Sequence, residues 1–133
     1  MCIRDRTSSN GEFWEAMNLA GARGLPICYI LQNNQIALDT PPAKQSGVEV
    51  WADKAVAMGF PAWTIDGSDP AAWHASAAVA REFAMEGGGP TLIHVETMRG
   101  CGHAHHHDDL YLGNASGTPP GYVDRELLSY WEA

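Results

Sequence analysis

The chain has 133 residues, enough for one α/β domain with a real core and too few for two. A formal net charge of −8 argues against sequence-independent binding of nucleic acid, which needs clustered Lys and Arg to neutralise phosphates. No apolar run approaches the roughly 18 residues of a membrane-spanning helix, and cysteines at 2, 28 and 101 form neither an even disulfide framework nor a CxxC pair, so a reducing, cytoplasmic setting is expected.

The first six residues, Met1-Cys2-Ile3-Arg4-Asp5-Arg6, form a charged stub without the apolar centre of a signal peptide. They join abruptly to a helix-start signal, so residues 1–6 are expected to be a non-native leader ahead of a native chain that continues upstream. Ser8 to Glu12 offers capping residues and an acidic first turn, and the Ala-, Leu- and Met-rich stretch from Phe13 to Ala22 predicts a helix ended near Gly24 and Pro26. Ile27 to Leu31 is a short apolar run of the kind found in a strand buried on both faces of a parallel sheet. It is expected to break into a polar loop, Gln32-Asn33-Asn34-Gln35.

Pro41 to Val48 has the composition of a loop, Trp51 to Met58 predicts a short helix stopped by Gly59 and Pro61, and Trp63 to Ile65 predicts a second strand closed by Asp66-Gly67. Ser68 or Asp69 then caps a long helix from Pro70 to Glu86, with proline tolerated in its first turn. Gly87 to Pro90 ends it. Thr91 to Glu96 predicts a third strand, residues 97–121 a loop, and Val123 to Trp131 the start of a last helix. Alternation of helix and strand in this order predicts a doubly wound parallel sheet, whose ligands gather beyond the carboxyl ends of the strands. Two polar clusters, Asn33-Asn34 and His103 to Asp109, follow predicted strands and are candidates for one site.

Adjacent asparagines after a strand suit a turn, because Asn tolerates left-handed backbone; they equally suit a hard cation, since Mg²⁺ prefers oxygen ligands and joins protein oxygens to phosphates. The segment Asn10-Gly11-Glu12-Phe13-Trp14-Glu15-Ala16, then Leu25-Pro26, then Asn33-Asn34, resembles the thiamine-diphosphate motif in the α subunit of 2-oxo acid dehydrogenase E1 components. This family includes the pyruvate, branched-chain 2-oxo acid and acetoin dehydrogenases. Thr40-Pro41, Ile65 to Asp69, Gly89-Pro90, Thr97-Met98-Arg99 and Gly102-His103 resemble further family landmarks in family order, so the likeness extends over residues 7–133.

The resemblance implies a three-layer α/β thiamine-diphosphate-binding domain over residues 7–133, truncated at both ends. It implies thiamine diphosphate and Mg²⁺ as cofactors, with Asn34 a metal ligand through its side-chain oxygen and Ile36 through its backbone carbonyl. Thr7 and Ser8 would lie at the helix start whose amides face the diphosphate. The family's metal-binding aspartate falls on Asp5, but Arg4 and Arg6 stand where glycines belong and would obstruct the approach of backbone to phosphate.

Taken without the resemblance, His103, His105, His106, His107, Asp108 and Asp109 read as a transition-metal site, an adventitious nickel binder or a solvated loop. With it, His103 falls on the active-site loop histidine, placed to donate hydrogen bonds and protons near the reacting carbon. Cys101 stands where many relatives have another histidine, and Ala104 where regulated members have a phosphorylatable serine. The pattern departs from the family over His105 to Leu112, which receives no role. Glu15 is read as a structural salt-bridge or capping residue rather than a base, and the five tryptophans as packing or subunit-contact residues.

The function implied is oxidative decarboxylation of a 2-oxo acid followed by acyl transfer to lipoamide. A β chain or domain would complete the site, a lipoyl-bearing E2 acyltransferase would receive the acyl group, and the whole would form an α2β2 or fused dimer. The chain alone is expected to be inactive. Alternatives are another thiamine-diphosphate enzyme, transketolase-like or acetohydroxyacid synthase-like, or a non-enzymatic His-rich metal-binding domain.

Overall fold

The computed structural model describes the backbone of residues 2–6 and the whole of residues 7–35, 37 and 40–98. These form a four-stranded parallel sheet in the order β1-β2-β4-β3, with β1 at Cys2–Arg4, β2 at Cys28–Asn33, β3 at Ala62–Asp66 and β4 at Thr91–Glu96. Three helices connect them: α1 at Gly11–Arg23, α2 at Asp53–Val56 and α3 at Pro70–Met85. The expected α/β architecture is present.

The strand order dictates the layers. Passing from β1 to β2 and from β2 to β3 moves across the sheet in one sense, and β3 to β4 moves back. Right-handed crossovers therefore place α1 and α2 on one face and α3 on the other. The packing follows this rule: Phe13, Met17 and Ala20 of α1 and Ala55 of α2 bury with Tyr29, Leu31 and Leu92, whereas Ala80 of α3 buries with Ile93 and Val95. Alternation along β2 sends Tyr29, Leu31 and Asn33 to the α1/α2 face and leaves Cys28, Ile30 and Gln32 half-buried on the other.

Local chemistry sets the element ends. Gly24 ends α1 in the left-handed conformation at φ 59°, where its missing side chain removes the steric penalty. Asp69 caps α3, its carboxylate accepting from the Ala71 amide at 2.8 Å, and Pro70 occupies the first turn. Tyr29 fastens α1 to the sheet by donating its hydroxyl to the Ala16 carbonyl at 2.9 Å, and burial raises its phenol pKa.

Three expectations are corrected. The strand read as Ile27 to Leu31 runs from Cys28 to Asn33, because the backbones of Gln32 and Asn33 continue to pair with Val95 and Glu96. The helix read as Trp51 to Met58 shortens to α2, since its flanks bond in the tighter i to i−3 pattern, as in Lys54 N–H to Trp51 carbonyl and Ala55 to Ala52. Within the stretch read as loop, Pro42–Lys44 forms a single 3-10 turn. Residues Cys2–Arg4 form strand β1, in register with Ile30 to Gln32, and a 3-10 turn at Asp5–Ser9 leads from it into α1. The last predicted helix lies outside the described residues.

Candidate functional site

All four strands run in the same direction, so their carboxyl ends, at Arg4, Asn33, Asp66 and Glu96, share one edge of the sheet. Polar contacts tie three of these ends together. Thr97 donates its amide at 2.9 Å and its hydroxyl at 3.2 Å to the Asn33 carbonyl, and Gly67 donates its amide to the Glu96 carbonyl at 2.7 Å. Beyond β3, Asp66 accepts from the Ser68 amide at 2.8 Å and hydroxyl at 2.7 Å. The Ser68 hydroxyl and then its amide hold the Asp66 carboxyl below the usual carboxylate range.

The two asparagines do different things here. Asn33 is buried as the last residue of β2, and its side-chain oxygen accepts from the Gln35 amide at 3.1 Å. That bond closes a tight turn in which Gln35 has φ 66°. Asn34 sits between them, half-buried, at the carboxyl edge. An amide oxygen there is a hard donor of the type Mg²⁺ takes, so this part of the implied ligand set fits the metal. Among the described residues no trio of His, Cys, Asp or Glu gathers as a metal site.

Thr7 and Ser8 arrive at the same edge through the 3-10 turn that follows β1. Thr7 is exposed, whereas Ser8 is fully buried and its hydroxyl accepts from Lys54 Nζ at 2.9 Å. Ile36 and His103, together with the rest of the histidine loop, lie outside the described residues, as does the side chain of Asp5. Glu15 is exposed on α1.

The sequence reading passed over Lys54. The residue is 5% exposed, and its ammonium lies 3.9 Å from the Trp51 ring centroid and 5.5 Å from that of Trp14. Burying a charge costs several kcal/mol. A desolvated cation–π contact returns about 2 kcal/mol and a charged hydrogen bond about 1.5–3 kcal/mol, so these groups can together hold it. The available signal was composition: one of two lysines in an acidic chain, three residues after a tryptophan.

His94 is a second buried polar group on the α1/α2 face. Its Nδ1 lies 3.0 Å from Thr64 Oγ1, and its Nε2 is buried without a hydrogen-bond partner. Burial lowers its pKa, against an opposing pull from Glu96. Because the folded value is depressed, the unfolded chain takes up the proton first as pH falls below about 6.5. The stability from neutral His94 is thus complete above that pH and is lost below it, with a slope of at most about 1.4 kcal/mol per pH unit. Thermal melts from pH 7.5 to 5.5 should fall more steeply for the native sequence than for His94→Gln; equal slopes would contradict this.

With the geometry set out, likeness to known proteins is informative. Residues 2–112 match the family model for the dehydrogenase E1 component. The chain belongs to the dehydrogenase E1 component family. It is 41% identical over 128 residues to the pyruvate dehydrogenase E1 component subunit alpha of Bacillus subtilis, covering 96% of this chain and 32% of that protein. The same figures hold for the protein of that name from Bacillus cereus. That from Staphylococcus aureus strain Mu50 is 41% identical over 105 residues, 79% of this chain and 28% of its own length. The chain thus spans about a third of the length of these E1 relatives. Membership in the E1 family selects the E1 reading over the transketolase-like and acetohydroxyacid synthase-like alternatives. No helix among the described residues of this E1 chain is long and apolar enough to cross a membrane.

Proposed function

We propose that this chain forms the diphosphate–Mg²⁺ half of a thiamine-diphosphate site in an E1 α chain, serving oxidative decarboxylation of a 2-oxo acid and acyl transfer to lipoamide. The observation that carries this reading is the division of labour at the end of β2. Asn33 spends its amide on the turn, and Asn34 is presented at the strand edge in a chain of the E1 family.

In this reading Asn34 holds Mg²⁺ through its side-chain oxygen and Ile36 through its carbonyl. Thr7, Ser8 and the start of α1 receive the diphosphate with backbone amides, where the helix dipole favours negative charge. His103 donates a hydrogen bond or proton near the reacting carbon. When bound, thiamine diphosphate supplies the nucleophilic carbon and the electron sink. A β chain or domain supplies the rest of the site, in an α2β2 or fused dimer, and a lipoyl-bearing E2 acyltransferase takes the acyl group. The setting is the cytoplasm.

The test is release of CO₂ from pyruvate and from branched 2-oxo acids. It uses the full-length α chain assembled with its β partner, with and without thiamine diphosphate and Mg²⁺. Turnover that requires both cofactors and is absent from the chain alone is the expected result. Turnover by the chain alone, or turnover indifferent to thiamine diphosphate, would overturn the proposal.

A further inference from the structure

Lys54 reaches three elements of the fold. It rises from α2, passes the face of Trp51, approaches Trp14 of α1 and ends on the buried hydroxyl of Ser8, in the turn between β1 and α1. Filling this space needs no charge, since Met, one atom shorter, has a similar unbranched shape and suits a wall of indoles. What an ammonium adds is a directed donor that fixes Ser8, and a positive charge kept from solvent behind a turn that leads into a helix N-terminus. An anion in front of that turn would feel such a charge more strongly than one in water.

We infer that Lys54 is a positioning residue of the diphosphate subsite: through Ser8 it holds the Asp5–Ser9 turn and the start of α1 in the arrangement that receives the anion. The inference rests on the thiamine-diphosphate reading above and adds to it a residue that touches neither cofactor nor substrate. Its charge and its donor, rather than its bulk, are what the subsite requires.

The test uses the full-length α chain assembled with its β partner. Affinity for thiamine diphosphate at saturating Mg²⁺ is read by quenching of tryptophan fluorescence, beside circular dichroism and melting of the cofactor-free protein. Lys54→Met, which keeps an unbranched chain one atom shorter and removes charge and donor, should weaken binding by about 10- to 100-fold, the usual effect of losing an outer-sphere support. At saturating cofactor its kcat should stay within about threefold. Lys54→Arg, which keeps the charge and the donors, should recover binding to within about threefold.

Ser8→Ala, which deletes the hydroxyl that accepts from Lys54 and covers the case in which Lys54→Met does not fold, should weaken binding about fivefold. The double variant should be no weaker than Lys54→Met alone, because both changes break one link. Native affinity in Lys54→Met or in Ser8→Ala overturns the inference, as does a Lys54→Arg protein as weak as Lys54→Met. Failure of the unsubstituted protein to bind thiamine diphosphate would instead overturn the parent reading, so the two failures are distinguishable.

Discussion

Gly67→Ala in the full-length chain should lower stability by about 3 kcal/mol, combining overpacking with a displaced backbone hydrogen bond. A Cβ at this position would collide with Thr97 Cγ2, with the Glu96 carbonyl oxygen at 2.7 Å and with Val95 Cγ1 at 2.8 Å. The carbonyl decides the outcome. A crowded side chain can rotate away, but the Glu96 oxygen belongs to the end of β4 and accepts the amide of Gly67 itself. Relief must therefore come from separating the ends of β3 and β4, which also moves Thr97 and its two bonds to Asn33. The same substitution at Gly11, which has nothing within 4 Å and lies in α1, should be neutral or stabilising by up to about 1 kcal/mol, as expected for Ala replacing Gly in a helix. Urea unfolding of the two variants measures the contrast. Equal midpoints would mean that the carboxyl edge is more compliant than its close contacts imply.

The contrast also indicates which features a sequence can carry. Strand β4 was readable to the residue, because a short β-prone run, Thr91 to Val95, lies between Gly89-Pro90 and the charged Glu96. Helix α3 was readable from Asp69-Pro70, two residues whose chemistry suits only a helix start. Features fixed by partners distant in sequence were not readable. Residues Gln32 and Asn33 look like loop until Val95 and Glu96 lie beside them, and three residues ending in Arg4 carry no strand pattern of their own. Lys54 reads as the solvent face of a short helix; its burial depends on Ser8, 46 positions earlier in the chain. His94 was hidden inside the run that made β4 legible. For the site, the position of Asn33-Asn34 at a strand end followed from pattern alone, whereas the assignment of Asn34 over Asn33 came from the family resemblance. Within the proposed site, the turn geometry supplies a reason to prefer Asn34, since the Asn33 side-chain oxygen already accepts from the Gln35 amide.

That reason makes the asparagine pair separable by experiment, and Asn34→Ala should have the largest functional effect of any change proposed. In the full-length chain assembled with its β partner, it should weaken Mg²⁺-dependent thiamine diphosphate binding by at least about 100-fold, since losing a ligand should exceed the 10- to 100-fold typical of losing its support. Stability without cofactor should fall by less than in Asn33→Ala, because the half-buried Asn34 side chain is not the acceptor that closes the Asn33–Gln35 turn. Asn33→Ala should behave in the opposite way. It removes the acceptor for the Gln35 amide while Gln35 still needs a φ of 66°, a conformation that costs a non-glycine residue about 1–2 kcal/mol. The expected result is a loss of about 1–3 kcal/mol of stability with an indirect, smaller fall in affinity. Calorimetric titration with thiamine diphosphate and Mg²⁺, beside denaturant unfolding of the cofactor-free proteins, separates the two variants. If Asn33→Ala abolished binding at unchanged stability while Asn34→Ala bound normally, the ligand would be the residue that closes the turn, and the turn would have to open before a cation could be held.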